Sequence, residues 1–247
     1  MDNLKIKNFI DDSFKEYLEF TLSEKQVEQF FIFMNLLIEK NKVMNLTAIV
    51  EPEQIVLKHF VDSCFLAKNR HFNDNKNNNH YTFIDIGSGA GFPAIPMAIM
   101  FPIFNFTLVD SLNKRINFVN EVINEIGLTN TTAIHYRAED LSRDEKYREK
   151  FDFALARGVS KISVLTEYLT PFLKVNGSML IHKMGDCDKE IEESSEAFSK
   201  LNSKYINKES YTLLESEPKR AIIEIQKLAK TPSIYPRKQA VINKKPL

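Results

Sequence analysis

Apolar positions recur at helical spacing in two early stretches. Leu4, Ile6, Phe9, Ile10, Phe14, Tyr17 and Leu18 predict one amphipathic helix over 3–20. Val27, Phe30, Phe31, Phe33, Met34, Leu37 and Ile38 predict a second over 23–41, and Ser23 with Gln26 has the spacing of a capping box. A third helix is predicted from about 53 to 67, followed by an Asn-rich polar run, 71–80, that reads as a surface loop. From 81 on the pattern changes. Short apolar runs near 83–86, 104–110, 131–135, 151–156 and 178–182 alternate with helical runs near 92–100, 112–126, 160–170 and 187–200. Later runs near 204–214 and 220–227 predict an antiparallel pair that closes the sheet. Such alternation predicts a doubly wound, mostly parallel α/β sheet. The expected organisation is a helical extension (1–70), the loop (71–80), an α/β core (81–230) and a basic tail (231–247), all within one compact domain.

The first core strand leads into Asp85-Ile86-Gly87-Ser88-Gly89-Ala90-Gly91. Three glycines spaced G-x-G-x-G, between a strand and a helix, let backbone approach a ligand closely at a helix N-terminus. A tight connection with no ligand would need the same glycines, so the spacing alone does not decide. The second strand ends on Asp110, about 20 residues past the glycines, where a ribose-binding carboxylate belongs. The third is followed by Tyr136-Arg137-Ala138-Glu139-Asp140.

Bulk composition narrows the class. The 247 residues carry 33 basic and 33 acidic side chains, which argues against a protein that grips nucleic acid with its whole surface. The charge is uneven: 218–247 holds eight basic residues against one acid, while the first thirty residues hold seven acids against four lysines. The basic end either steers toward phosphate or is a solvated terminus. No apolar run is long enough for a membrane span, and no signal-peptide core is present. Cys64 and Cys187 lack metal-ligand spacing and suit buried thiols in a reducing cytoplasm, and the five scattered histidines predict no metal site.

Two cofactors compete for the glycine turn. A dinucleotide needs G-x-G-x-x-G, but the sixth position here is Phe92. A bulky side chain there suits a cofactor without a pyrophosphate. Ala138 followed by Glu139 suits an adenine edge, and Asp85 suits a sulfonium cation. Together these favour S-adenosyl-L-methionine over a nicotinamide dinucleotide.

Several motifs then become specific. Asn41-Lys42-Val43-Met44-Asn45-Leu46-Thr47, His59-Phe60-Val61-Asp62-Ser63, Asp85 to Pro93 with Ile95-Pro96, Asp110-Ser111-Leu112 with Lys114-Arg115, Arg137-Ala138-Glu139, Ala156-Arg157 and Tyr235-Pro236-Arg237 resemble the bacterial 16S ribosomal RNA guanine-N7 methyltransferase family. The likeness runs almost end to end. It implies a Rossmann-like class I S-adenosylmethionine-dependent methyltransferase fold with a seven-stranded sheet and an N-terminal helical extension. It also implies methylation of N7 of guanine 527, in the 530 loop of 16S rRNA. The expected partner is 16S rRNA in the small subunit or an assembly intermediate, with the enzyme a monomer. Carried over by position, the cofactor residues are Gly87, Phe92, Ala138, Glu139 and Arg157. Asp85, Gly89, Gly91 and Asp110 join them from the general fold. The chain departs from the family pattern at Ala94, Gly158, Asn176, Ala240 and Ile242, the last two in the tail.

Guanine N7 carries an in-plane lone pair and no proton, so its methylation needs alignment rather than a general base. The sequence accordingly offers no obvious base or nucleophile. Arg157, ending the fourth strand, reads either as a contact at the pocket mouth, to cofactor or to guanine O6, or as a structural ion pair. Lys183 either reaches RNA phosphate or is solvated. His59 and Asp62, at i and i+3, read as a structural pair that fastens the N-terminal helices to the core. Arg237, Lys238, Lys244 and Lys245 are candidate phosphate contacts, with Tyr235 a candidate base-stacking ring. The alternatives that remain are a methyltransferase of another RNA or a small molecule, and a noncatalytic ribosome-assembly factor.

Overall fold

A computed structural model describes residues 2–72, 80–158 and 160–247. Most of the expected Asn-rich loop, 73–79, lies outside the described residues. The two long N-terminal helices form where the apolar spacing places them. Helix α1 (Asn3–Leu18) starts on the Asp2 carboxylate, which accepts from the Leu4 N–H, and stops at Glu19 in the left-handed region. Helix α2 (Glu24–Met44) starts on a complete Ser23–Gln26 capping box. The expected third helix is built in pieces. It comprises α3 (Pro52–Ile55), a π-helical turn over Val56–Val61, α4 (Asp62–Cys64) and a 3-10 turn over Phe65–Lys68.

The core alternates as the pattern predicts. Strands β1 (Thr82–Ile86), β2 (Asn105–Asp110), β3 (Thr131–His135) and β4 (Phe151–Arg157) are separated by α5 (Ala94–Met100), α6 (Asn113–Glu125) and the short α7 (Ala138–Leu141). Helix α8 (Ile162–Leu169) leads to β5 (Leu173–Met184). The helix predicted over 187–200 is two, α9 (Asp188–Glu193) and α10 (Ser195–Lys200), broken at Ser194. Strands β6 (Ser203–Tyr211) and β7 (Arg220–Lys227) follow, and the tail carries α11 (Gln239–Lys244). The sheet order is β3-β2-β1-β4-β5-β7-β6. Strands β1 to β5 run parallel, and β7 is antiparallel to both β5 and β6.

Strands buried on both faces alternate their side chains between two apolar layers. Phe83, Phe106, Phe153 and Leu180 face the layer covered by α1, α2, α5 and α6. Ile84, Val109, Ala154 and Ile181 face the layer covered by α8 to α10. The N-terminal helices share the first layer's core without a break: Phe30 meets Phe60, Phe60 meets Phe33, and Phe33 stacks on Phe92 at centroid distances of 5.1, 5.3 and 5.3 Å. Each such aromatic pair adds about 0.5–1.5 kcal/mol beyond its area.

The tail is pinned by buried polar groups. The Lys227 ammonium, fully enclosed, donates to Glu149 Oε1 at 2.6 Å and to the Leu173 carbonyl at 2.8 Å, and Glu149 also accepts from the Thr231 N–H. Arg148 donates to the carbonyls of Thr231 and Tyr235, and Arg143 to that of Pro236. Among the described residues, no helix is long and apolar enough to cross a membrane.

Candidate active site

The C-terminal ends of the parallel strands open onto two cavities, one on each side of the end of β4. After β1 the chain turns through Gly87, Gly89 and Gly91, all at positive φ. Gly87 (φ +75°) donates its N–H to the Val109 carbonyl, and a Cβ placed on it would meet nothing within 4 Å, so it faces open space. Gly91 is constrained differently: a Cβ there would lie 2.6 Å from Ile95 Cγ1, at the start of α5. The turn is held from β2. Asp110 accepts from the N–H of Gly89 at 3.0 Å, the N–H of Leu112 at 2.9 Å and the Arg115 guanidinium at 3.3 Å. Three donors leave this carboxylate roughly one free lone-pair site of about four.

The first cavity measures about 410 Å³ and is lined by Gly87, Asp110, Tyr136, Ala138, Glu139 and Tyr168, with Gln239 and Asn243 of α11. That volume is in the range of a cofactor site. Asp85, Gly89, Gly91, Phe92 and Arg157 do not line it. Asp85 lies behind the turn, where its Oδ2 accepts from the Ala94 N–H at 3.3 Å and its Oδ1 has no partner among the described residues. Burial pushes this carboxyl's pKa well up, opposed by the Ala94 N–H and the Arg157 charge. Ser88 Oγ is likewise buried, with no partner among the described residues.

The second cavity measures about 540 Å³, and its walls include His59, Asp62, Arg157, His182, Lys183 and Arg220. Arg157 crosses from β4 to the N-terminal helices. Its Nη1 donates to Asp62 Oδ2 (3.2 Å), Ser63 Oγ (3.3 Å) and the Lys58 carbonyl (3.3 Å), and its Nη2 donates to His59 Nδ1 (3.1 Å). The guanidinium also sits 4.7 Å over the Phe92 ring, on which His59 stacks at 4.6 Å. Arg157 can only donate, so His59 Nδ1 accepts, and the ring proton resides on Nε2, facing Thr47 Oγ1 at 2.8 Å. Burial and then the Arg157 charge lower the His59 pKa to about 3, so it is neutral at pH 7. His59 and Asp62 therefore fasten the helical extension to the core by each gripping Arg157.

Asp62 is the hub. It accepts from Tyr211 Oη at 2.7 Å and Arg220 Nη1 at 2.9 Å as well as from Arg157. Burial pushes its pKa up, but His182, Arg157 and Arg220 together with the Tyr211 hydroxyl pull it below the usual carboxylate value. His182, paired in register with Arg157 across β4 and β5, is 4% exposed with both ring nitrogens unpartnered among the described residues. Burial lowers its pKa to about 4.

Sequence reasoning did not find His182, Arg220 or Tyr211. The available signal was a histidine closing the apolar run Met179-Leu180-Ile181. Lys183 borders the second cavity and bonds Glu190 and the Ser160 carbonyl. Arg237 makes two side-chain bonds and one N–H bond to the fully buried Glu167. Tyr235 is half-buried, whereas Lys238, Lys244 and Lys245 are exposed.

A 3-2-1-4-5-7-6 sheet with an antiparallel seventh strand, a glycine turn after β1 and acids beyond β2 and β3 defines a class I methyltransferase. Solved structures share this fold at low identity. A 16S rRNA (adenine(1408)-N(1))-methyltransferase from Catenulisporales acidiphilia is 11% identical at a TM-score of 0.51, covering 65% of this chain and 89% of that one. TYW2 of M. jannaschii, in complex with AdoMet, is 17% identical at a TM-score of 0.51, covering 62% and 72%. The sequence profile of the rRNA small subunit methyltransferase G family matches residues 26–223. The protein of that name from Desulforamulus reducens is 45% identical over 93% of this chain and 94% of its own length. The one from Alkaliphilus metalliredigens is 38% identical over 99% and 100%. The chain belongs to the rRNA small subunit methyltransferase G family.

Proposed function

We propose that this protein transfers the methyl group of S-adenosylmethionine to N7 of a guanine in 16S rRNA, guanine 527 of the 530 loop. The observation that carries the reading is the pair of cavities at the C-terminal ends of the parallel strands, the second walled by Arg157, Asp62 and a His182 ring whose pKa burial lowers to about 4, a weak base for taking a proton from an acceptor group. Such a site suits an acceptor atom that already holds a lone pair.

The first cavity fits the cofactor. Gly87 leaves room that any side chain would fill, Asp110 offers a carboxylate acceptor for ribose hydroxyls, and Ala138 with Glu139 faces the adenine edge. Tyr136 and Tyr168 offer aromatic walls. Bound there, S-adenosylmethionine supplies a methyl group on a sulfonium that leaves as a neutral thioether. Gly89, Gly91 and Phe92 serve it indirectly, by shaping the turn and backing its helix. The flipped guanine enters the second cavity, with N7 directed toward the β4 junction. Arg157 braces the wall of this cavity against the N-terminal helices, and its charge is balanced by Asp62. Lys58 and Lys183 stand at that cavity's rim, within reach of phosphates flanking the base. The exposed Lys238, Lys244 and Lys245, beside Tyr235, extend the basic surface for RNA.

The test combines methyl-labelled S-adenosylmethionine, purified protein and small subunits lacking the modification, followed by nucleoside mass spectrometry. The expected product is 7-methylguanosine at one site. Label on another atom overturns the N7 assignment, and label on another RNA overturns the substrate assignment. Cofactor binding with no transfer to any RNA favours an assembly factor.

A further inference from the structure

The tail's place in the fold differs from that of a free basic terminus. Helix α11 packs beside the first cavity, with Ile242 fully buried beneath it. Gln239 and Asn243, one turn apart and so on the same face, both line that cavity. Gln239 is fixed there: its Oε1 accepts from Arg137 Nη1 at 2.8 Å, and Arg137 immediately precedes Ala138 and Glu139 on the opposite wall. The helix is positioned by a separate anchor two residues earlier, where Arg237 grips the buried Glu167 through both its guanidinium and its N–H. Glu167 lies on α8, whose Val164, Leu165 and Tyr168 line the same cavity.

We propose that α11 completes the cofactor pocket, and that the carboxamides of Gln239 and Asn243 are contacts for the adenosine end of the cofactor. The inference rests on the S-adenosylmethionine reading above. A carboxamide presents a donor and an acceptor side by side, which matches the donor–acceptor pair on an adenine edge. With its Oε1 engaged by Arg137, Gln239 keeps Nε2 as a donor, and Asn243 supplies both groups. The Arg137–Gln239 bond closes the wall across the cavity, so part of the binding energy comes from a segment that the core sequence motifs do not include.

The experiment measures binding by calorimetry on the full-length protein and on Gln239→Leu, Asn243→Leu and the double variant. The ligands are S-adenosylmethionine and 5′-methylthioadenosine, which lacks the amino-acid portion. Each lost hydrogen bond corresponds to a weakening of about 2- to 10-fold, and the double variant is expected to lose about 10- to 100-fold for both ligands. The melting temperature without ligand should be unchanged, because both side chains are exposed. Equal affinities in wild type and the double variant overturn the assignment. A loss for S-adenosylmethionine that methylthioadenosine does not share overturns the adenosine-end placement. A wild-type protein that binds neither ligand overturns the cofactor reading itself, and this inference with it.

Discussion

Replacing Asp62 by alanine tests the hub of the second cavity. The carboxylate is buried and accepts from Arg157, Arg220 and Tyr211 at 3.2, 2.9 and 2.7 Å. Its removal leaves the Arg157 guanidinium without its carboxylate, the Tyr211 hydroxyl without its acceptor, and Arg220 with Glu217 alone. Breaking a buried ion pair by deleting one partner costs about 3–5 kcal/mol. At roughly 2–4 °C per kcal/mol for a chain of this size, Asp62→Ala should lower the melting temperature by about 6–20 °C. A double-mutant cycle with Arg220→Ala should return a coupling of about 0.5–3 kcal/mol. The pH dependence is fixed by sign. A carboxylate whose folded pKa lies below its unfolded value stabilises the protein above the unfolded pKa, and this stability is lost as pH falls through the folded pKa. The gap between wild type and variant should therefore be flat from pH 8 to 5 and narrow only below about 4. Thermal melts and urea titrations across that range measure it. A drop under about 2 °C at pH 7, or a gap already closing between pH 7 and 5, refutes the reasoning.

Other outcomes follow from the same geometry. His182 stays neutral in the fold to about pH 4, whereas the unfolded chain takes up its proton near 6.5, so its burial makes stability drop as pH is lowered from about 6.5 to 4. His182→Gln should reduce the stability slope between pH 5 and 6 by about 1.4 kcal/mol per pH unit, read by urea titration, and an unchanged slope would mean that the ring already protonates in the fold. Gly87→Asp places a side chain and a charge into the first cavity at a left-handed position. It should abolish S-adenosylmethionine binding by calorimetry, and retained affinity would move the cofactor elsewhere. Lys238→Ala, Lys244→Ala and Lys245→Ala together should weaken RNA binding and flatten its salt dependence by up to about 0.7 per lost phosphate contact on single strands. Cofactor affinity should be unaffected, and a salt slope equal to wild type would leave these lysines without an RNA role.

The helix and strand order, the glycine turn and both first helices were legible because each rests on local periodicity or on a residue type with one physical use. The Ser23–Gln26 cap is read from two letters and is found complete. Features that depend on tertiary partners were not legible. Strand β5 starts five residues before the predicted run, at Leu173, because Lys174-Val175-Asn176-Gly177 looks like a turn. In the fold, Asn176 has φ +70° and Gly177 leaves no room for a Cβ, which would lie 2.8 Å from the Asp152 carbonyl. Helix α11 escaped because its six residues bury one side chain, Ile242, which gives no period to detect. The tail's charge suggested RNA, yet one of its cations, Arg237, is paired with a glutamate 70 positions away that only the fold brings near. The second cavity was invisible for the same reason: Asp62, Arg157, His182, Tyr211 and Arg220 come from five separate segments.

The π-helical turn at Val56–Val61 has a consequence for chain length. A π turn holds one residue more than the α-helix around it, and this one lies immediately before Asp62 and contains His59. Deleting Phe60 or Val61, between His59 and Asp62, would relax the turn to ordinary α-helix and improve its backbone hydrogen bonds. It would also rotate everything on one side by about 100° relative to the other, so His59 and Asp62 could no longer both meet Arg157. A deletion neutral or favourable for the local helix would thus dismantle the Arg157 cluster that walls the second cavity. At this stretch the number of residues is under tighter constraint than their identity, and insertions or deletions should be tolerated less well here than substitutions at the same positions.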